Sequence, residues 1–167
     1  MRNAAVEDKS APPYWRLTAT DGADRTAVEA FGNGFTTTRK YDEARDRLTS
    51  LVTARAAQPP VQDLAYTYND KLNLATRHDA LQTANPTEHF GYDALDRLTC
   101  ATFSDAVKCP DADLYTYAPN GNLLTKPGLA GVYTYDLDHP HAVSTAGIDG
   151  FGYDLVGNQV NRSGMAV

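Results

Sequence analysis

Carboxylates are the side chains of this sequence whose spacing first suggests chemistry. Asp136 and Asp138 lie two residues apart, as do Asp111 and Asp113, and such pairs fit a general acid and base or a calcium site. The competing interpretation is turn chemistry, in which an Asp side chain accepts hydrogen bonds from the backbone two residues on. Turns are favoured, because no Asp-x-Asp-x-Asp-Gly loop with a distal Glu accompanies either pair.

Two histidines give a second candidate. His139 and His141 flank Pro140, and a metal ion could use both imidazoles together with Asp136 or Asp138. The proline restricts their geometry and no third well-spaced histidine follows, so a structural turn is favoured. The sequence has no GxSxG, HExxH, Walker or GxGxxG motif. It therefore predicts no enzyme, no catalytic residue, no cofactor and no metal.

The two cysteines, Cys100 and Cys109, leave two interpretations open. In an oxidising compartment they could close a short loop, which would stabilise the fold by roughly 2–3 kcal/mol. In a reducing compartment they would be two free thiols. They do not form a CxxC pair, so a zinc site is not indicated.

Composition limits the class of protein and its partners. The 167 residues are about the length of one domain, and the net charge of −6 argues against a phosphate-binding surface, so nucleic acid is not expected as a partner. No apolar run approaches the roughly 20 residues that a membrane helix needs. Residues 1–13 lack the apolar centre of a signal peptide and are expected to be a flexible segment, residues 14–162 a single domain, and residues 163–167 a tail.

The elements that would position these side chains follow from an internal repeat of the form aromatic-x-Tyr. Each tyrosine is followed by turn-forming residues, often Asp or Asn, then Gly or Asp, then Asn or Arg, and usually Leu. Tyr41 begins a degenerate copy. The repeat-defining residues are Tyr41, Asp42, Tyr66, Tyr68, Phe90, Tyr92, Asp93, Tyr115, Tyr117, Gly121, Tyr133, Tyr135, Asp136, Phe151, Tyr153, Asp154 and Gly157.

The pattern predicts an all-β protein built from successive antiparallel β-hairpins that form a curved, repeat-built sheet. Residues two apart in a strand share a face, so each aromatic-x-Tyr places two rings on one side. Three β-rich runs in the first third, residues 14–20, 26–31 and 35–41, predict two further hairpins. Residues 50–63, rich in Ala and ended by two prolines, are expected to be a linker between hairpins.

The aromatic side chains support two interpretations. Tyrosine has an apolar face and a hydroxyl group, which suits a platform for glycans or peptides. The same spacing in every copy favours a structural role, in which the rings pack between neighbouring hairpins. Tyr14 and Trp15 lie outside the repeat and are the best candidates for a dedicated ligand contact.

These units resemble the YD repeats of the Rhs family, which also occur in bacterial Tc-toxin shell components and in teneurins. The resemblance rests on the segments YDALDRL, YAPNGNL and YDLVGNQ, and on a His141-Ala142-Val143 triplet after one turn. It covers the chain from about Tyr14 to Arg162. Leu72 and Asp96 stand where glycine is usual, which leaves the turn type of those copies open.

The resemblance implies a non-enzymatic strip of a hollow β-shell. Its partners would be neighbouring repeats or the remainder of a longer Rhs chain, with a toxin or effector domain enclosed. The family's self-cleaving Asp-Pro segment is not found after the repeats. A bacterial member would be secreted or associated with the cell envelope.

The alternative is a tyrosine-rich carbohydrate- or peptide-binding module at a cell surface. Unpaired strand edges at both ends of such a strip predict oligomers or poor solubility.

Overall fold

The computed structural model describes residues 13–103, 109–163 and 165–166. Within these ranges the chain forms strands and one short 3-10 turn, Asp111–Asp113, and it has no α-helix. The predicted all-β class is confirmed. The chain divides into two compact units, Met1–Thr87 and Glu88–Val167.

The strands of the first unit pair in sequence order, each antiparallel to the next. The three β-rich runs of the first third are confirmed as its first three strands. The strands are β1 (Trp15–Thr20), β2 (Thr26–Phe31), β3 (Phe35–Asp42), β4 (Arg47–Arg55), β5 (Gln62–Tyr68) and β6 (Leu74–Asp79).

In the second unit β7 pairs with β8, β9 with β10, and β11 to β15 pair in sequence order, all antiparallel. Strand β7 begins at the last residue of the first unit. The strands are β7 (Thr87–Tyr92), β8 (Leu98–Thr102), β9 (Thr116–Tyr117), β10 (Leu123–Thr125), β11 (Tyr133–Tyr135), β12 (Val143–Ala146), β13 (Asp149–Tyr153), β14 (Gln159–Arg162) and β15 (Met165–Ala166).

An aspartate or asparagine side chain organises most of the turns that follow the repeat tyrosines. In one of them Asp93 Oδ1 accepts hydrogen bonds from the backbone N–H groups of Leu95 and Arg97, at 2.9 and 3.0 Å. The residue just before Arg97 then takes a positive φ, which glycine adopts most easily. The same turn forms with and without glycine there, since positive φ values occur at Leu72 (65°), Asp96 (59°), Gly121 (90°) and Gly157 (87°).

Each of these hairpins contains a β-bulge at the same place, on the returning strand just after the turn. In the β5–β6 hairpin Thr67 pairs with Thr76 and Tyr68 with Leu74, so Ala75 is an extra residue. A bulge bends the strand and increases its right-handed twist, which curves a sheet built from such hairpins. The extra residues are Ala27, Thr49, Ala75, Thr99, Leu124, Ser144 and Val160.

The linker expected at residues 50–63 is wrong for residues 50–55 and 62–63, which lie in strands. Strand β4 continues to Arg55, and its residues 50–53 pair with β3 on one side and with β5 on the other. Hydrogen bonding on both edges outweighs the weak strand preference of the alanines. Only residues 56–61 connect the two strands.

The described residues do not enclose a core. No large side chain among them is fully buried, and Cys100, 8% exposed, is their one buried apolar side chain. A sheet normally buries its apolar face against a second layer. The tyrosine-bearing strands are therefore only half-buried by the rest of the described residues.

Candidate functional site between successive hairpins

The second tyrosine of a repeat contacts the hairpin before it. Tyr68 donates its hydroxyl to the backbone carbonyl of Leu48 at 2.8 Å, and Leu48 is the residue that closes the preceding turn. We call this contact the inter-hairpin tyrosine bond. The described residues make it five times: Tyr41 to Thr26 (3.0 Å), Tyr68 to Leu48 (2.8 Å), Tyr117 to Leu98 (2.8 Å), Tyr135 to Leu123 (2.7 Å) and Tyr153 to Val143 (3.0 Å).

The accepting carbonyl lies at the bulge. Leu98, for example, directly precedes Thr99, the extra residue of its hairpin. A bulge disrupts the ladder of backbone hydrogen bonds, and a carbonyl left without a partner in a partly buried position is unfavourable. The tyrosine hydroxyl supplies a donor at that point, so the bulge of one hairpin and the tyrosine of the next form one structural unit.

An arginine lies over the ring of the same tyrosine in two repeats. The guanidinium carbon of Arg97 is 4.6 Å from the ring centroid of Tyr117, a cation–π distance. Asp93 orients it, since Arg97 Nε donates to Asp93 Oδ2 at 2.7 Å. The hydrogen bonds from the Arg97 side chain and backbone hold the pKa of Asp93 below its ordinary value.

The first hairpin repeats this arrangement. Arg25 lies 4.5 Å from the ring centroid of Tyr41, and its Nε donates to Asp21 Oδ2 at 2.6 Å. Aspartate therefore shapes its own turn and fixes the arginine four residues on, and the arginine packs on the tyrosine of the following hairpin. The sequence pattern includes these arginines as turn residues, but it does not predict that they pack on the tyrosine of the next hairpin.

Asparagine replaces the arginine at position 122 and makes a different contact. Asn122 is 9% exposed. Its Nδ2 donates to the carbonyl of Pro140 at 2.6 Å, and its Oδ1 lies 2.6 Å from His141 Nδ1. The neighbouring histidine, His139, instead donates its backbone N–H to Asp136 Oδ1 at 2.8 Å.

The residues considered as an acid–base pair or metal ligands thus form hydrogen bonds within a turn or to the hairpin before it. The two histidines have different partners, and the hydrogen bonds from His139 and Asp138 lower the pKa of Asp136. The other carboxylate pair, Asp111 and Asp113, lies in the 3-10 turn. Among the described residues no group of three His, Cys, Asp or Glu side chains is arranged to hold a metal ion.

The first aromatic residues of the repeats are half-buried and lie on or beside the same strands as the tyrosines. One of them has a cation–π neighbour, because Arg162 lies 5.7 Å from the ring centroid of Phe151. Burial raises the pKa of three repeat tyrosines, Tyr68, Tyr92 and Tyr135. The half-buried first aromatics are Tyr66, Phe90, Tyr115, Tyr133 and Phe151.

Within a hairpin, the residue between the two aromatics of a repeat points to the face opposite the tyrosines. Small polar pairs lie on that face, and in one hairpin the disulfide does. Thr67 and Thr76 hydroxyls lie 2.6 Å apart across one hairpin. At the matching place in the β7–β8 hairpin Gly91 lies opposite Cys100, which is bonded to Cys109 with 6.0 Å between their Cα atoms. A Cβ added at Gly91 would lie 3.1 Å from the Cys100 Cβ, so glycine leaves room for the disulfide.

The candidate ligand contact at the start of the chain is partly engaged. The Tyr14 ring is 97% exposed, and Trp15 is 51% exposed. Trp15 Nε1 donates to Glu29 Oε2 at 2.7 Å, and Arg39 donates to the other carboxylate oxygen. The hydrogen bonds from Trp15 and Arg39 lower the pKa of Glu29.

No family model and no curated protein matches this sequence. Solved structures do match. The crystal structure of TcdB2-TccC3-Cdc42 has a TM-score of 0.61 at 18% identity, covering 86% of this chain and 10% of that chain. The crystal structure of TcdB2-TccC3-TEV has a TM-score of 0.60 at 17% identity, with the same coverage. That of TcdB2-TccC3 without hypervariable C-terminal region has 0.60 at 18%, covering 84% and 9%.

The likeness concerns the fold, and the chain spans about a tenth of the length of the solved chains that it matches. The described residues contain no helix of the length and apolar character needed to cross a membrane.

Proposed function

We propose that this chain is a non-enzymatic structural segment of an Rhs-type YD-repeat shell, which encapsulates or scaffolds a toxin or partner domain. The inter-hairpin tyrosine bond carries the proposal. It joins successive hairpins five times with the same donor, the same acceptor position and the same bulge. A contact repeated in this way joins each hairpin to the next, as a repeat array requires. A binding site would need its contact residues in only one place.

Two further observations support a structural segment of a shell. The described residues enclose no core, so the tyrosine face needs a second layer that a longer chain or a partner would supply. The neighbouring structures are chains of Tc toxin complexes with a similar fold. Five of the repeat tyrosines donate their hydroxyls to backbone carbonyls, which favours packing over ligand contact for those residues.

Light scattering after size-exclusion chromatography tests this function on the isolated chain. A strip with an uncovered face and open strand edges is expected to associate, so the measured mass should exceed one chain and rise with concentration. A monomer at every concentration, with a single cooperative melt, would contradict the proposal. It would mean that the hairpins cover their apolar face and strand edges without a larger shell.

A carbohydrate- or peptide-binding module is the second candidate. It is favoured by one observation, the full exposure of the Tyr14 ring beside the half-exposed Trp15. A glycan array probed with the intact chain and with a Tyr14→Ala variant tests it, with Tyr66→Ala as the matched repeat control. Signal that is lost only in the Tyr14 variant supports binding, and no signal above background removes it.

A further inference from the structure

Four turns of the second unit carry apolar side chains at their tips. An exposed apolar residue stands two or three positions after the second tyrosine of each repeat in this unit. Leu137 and Leu155 are 97% and 96% exposed, Val156 is 81% exposed and Leu95 is 72% exposed. We call this set the apolar turn edge, and its members are Leu95, Pro119, Leu137, Leu155 and Val156.

The turns themselves do not require apolar residues at these positions. Asp154 Oδ1 accepts hydrogen bonds from the backbone N–H groups of Val156 and Asn158, at 3.0 and 2.8 Å, so the backbone and not the tip side chains hold this turn. In the first unit Ala44 and Lys71 donate the equivalent backbone hydrogen bond. The three tips of that unit carry Gly-Ala, Glu-Ala and Asp-Lys at the two matching positions. Large apolar tips are therefore a property of the second unit and not of the turn.

The four tips lie side by side at one end of the strands. The two strands of each hairpin run antiparallel, and Leu98, Leu123 and Val143, which close three of the turns, each accept a tyrosine hydroxyl of the next hairpin. Asn122 also joins two turns directly through the carbonyl of Pro140. Two strand spacings, about 10 Å, separate successive tips. The tips therefore present a row of apolar side chains that one partner can contact.

The second unit is also strongly acidic. Residues 88–167 hold ten Asp and Glu against four Lys and Arg, whereas residues 1–87 hold eleven of each, so the net charge of −6 belongs to the second unit alone. Arg97 is the one Lys or Arg in the sequence of these four turns. A second copy of this edge and an anionic membrane surface would both be repelled, whereas a basic surface is complementary. The aspartates of the turns are Asp93, Asp96, Asp136, Asp138 and Asp154.

We propose that the apolar turn edge is the docking surface for a protein partner that offers an apolar surface rimmed by lysine and arginine. Exposed apolar patches with a polar rim mark interaction sites, and leucines that are almost fully exposed gain most when a partner removes them from water. The aspartates select a partner of opposite charge. The inference goes beyond the proposed function, because it concerns the second unit whether or not a shell continues from it.

Binding of a fluorescent peptide to the intact chain tests the inference. The probe is a synthetic amphipathic helix of leucine and lysine, and a leucine–glutamate helix is the control probe. The double variant Leu137→Ser, Leu155→Ser is expected to bind the leucine–lysine peptide at least about tenfold more weakly, because it loses two apolar contacts. Both residues are almost fully exposed, so its urea unfolding is expected to be unchanged.

Ile148→Ser is the matched control. Ile148 is 99% exposed and lies in the connection between β12 and β13, at the other end of these strands. This variant is expected to bind the leucine–lysine peptide as tightly as the unchanged chain does. Equal affinities of the double variant and the control variant overturn the inference. Failure of the unchanged chain to bind this peptide, or tighter binding of the leucine–glutamate peptide, overturns it as well.

Two measurements identify other occupants of the edge. Self-association in light scattering that is lost only in the double variant would assign a second copy to this edge. Co-sedimentation with phosphatidylcholine vesicles that is lost only in the double variant would assign a membrane, and either result overturns the inference. The proposed function fails separately. A monomeric intact chain whose peptide binding depends on the two leucines would refute the shell segment and leave the docking surface standing.

Discussion

Tyr117→Phe isolates the inter-hairpin tyrosine bond from every other contact of the ring. The substitution removes the hydroxyl that donates to the carbonyl of Leu98 at 2.8 Å. It keeps the aromatic face that Arg97 covers at 4.6 Å. Any loss of stability therefore reports the hydrogen bond and the carbonyl that it leaves without a partner.

The expected loss is about 1–1.5 kcal/mol. A typical intramolecular hydrogen bond contributes a net 0.5–1.5 kcal/mol, and a fully buried unsatisfied group costs about 1–3 kcal/mol. Leu98 and Tyr117 are both half-buried, so water partly replaces the lost donor and the cost falls near the lower end of that range. The bond lies within the unit Glu88–Val167, so the transition of that unit is expected to shift.

Urea unfolding followed by circular dichroism measures this loss. The slope of free energy against urea is expected to stay the same, because the same surface is exposed on unfolding. Tyr14→Phe is the control, since its ring is 97% exposed, and it is expected to change nothing beyond about 0.3 kcal/mol, as a surface substitution does. A Tyr117→Phe variant as stable as this control would refute the structural role of the bond.

Three further outcomes follow from the turns, the disulfide and the tyrosines. Gly121→Ala is expected to cost about 1 kcal/mol in urea unfolding, because its φ of 90° disfavours any side chain. Gly22→Ala, whose Cβ would meet no atom within 4 Å, is expected to cost clearly less, and equal costs would contradict the turn geometry. Reduction of the disulfide is expected to lower the free energy of unfolding by about 2–3 kcal/mol, and calorimetry with and without a reductant would show no change if the bond contributed nothing. The raised pKa values of Tyr68 and Tyr135 mean that the folded chain holds the phenol protons more tightly than the unfolded chain. That stability is fully present below the unfolded pKa of about 10 and is lost as the pH rises through the folded pKa, so unfolding free energies that stay flat from about pH 9 to 11.5 would disprove it.

The sequence predicted the strands well, because their pattern is local. The runs at residues 14–20, 26–31 and 35–41 became β1, β2 and β3 nearly residue for residue. Residues 50–55 were missed, since their strand state depends on partners in β3 and β5 and not on their own propensity.

The turns were only partly predictable. Leu72 and Asp96 adopt the backbone conformation usual for glycine. They do so because Asn69 and Asp93 bind the turn backbone with their side chains, and those bonds offset the steric cost. A prediction based on glycine alone therefore underestimates the regularity of the repeat.

The packing of rings between hairpins could be predicted from the sequence pattern, but the hydrogen bonds between hairpins could not. The spacing of the tyrosines predicts that their rings pack between neighbouring hairpins. The bulge that exposes a carbonyl to each hydroxyl, however, depends on how many residues face each other across two strands. That number is a property of the pairing register and is not visible in either strand alone. Asn122 shows the same limit, because its partners Pro140 and His141 belong to the next hairpin.

The inter-hairpin tyrosine bonds all run in one direction along the chain. The donor follows its acceptor by between 10 and 20 residues in every case. A ribosome releases the N-terminal residues first, so each hairpin emerges with its bulge carbonyl in water and receives its tyrosine one hairpin later. Contacts of such short sequence separation form quickly. We therefore expect the hairpins to assemble in the order of their synthesis, each one completing the hairpin made before it.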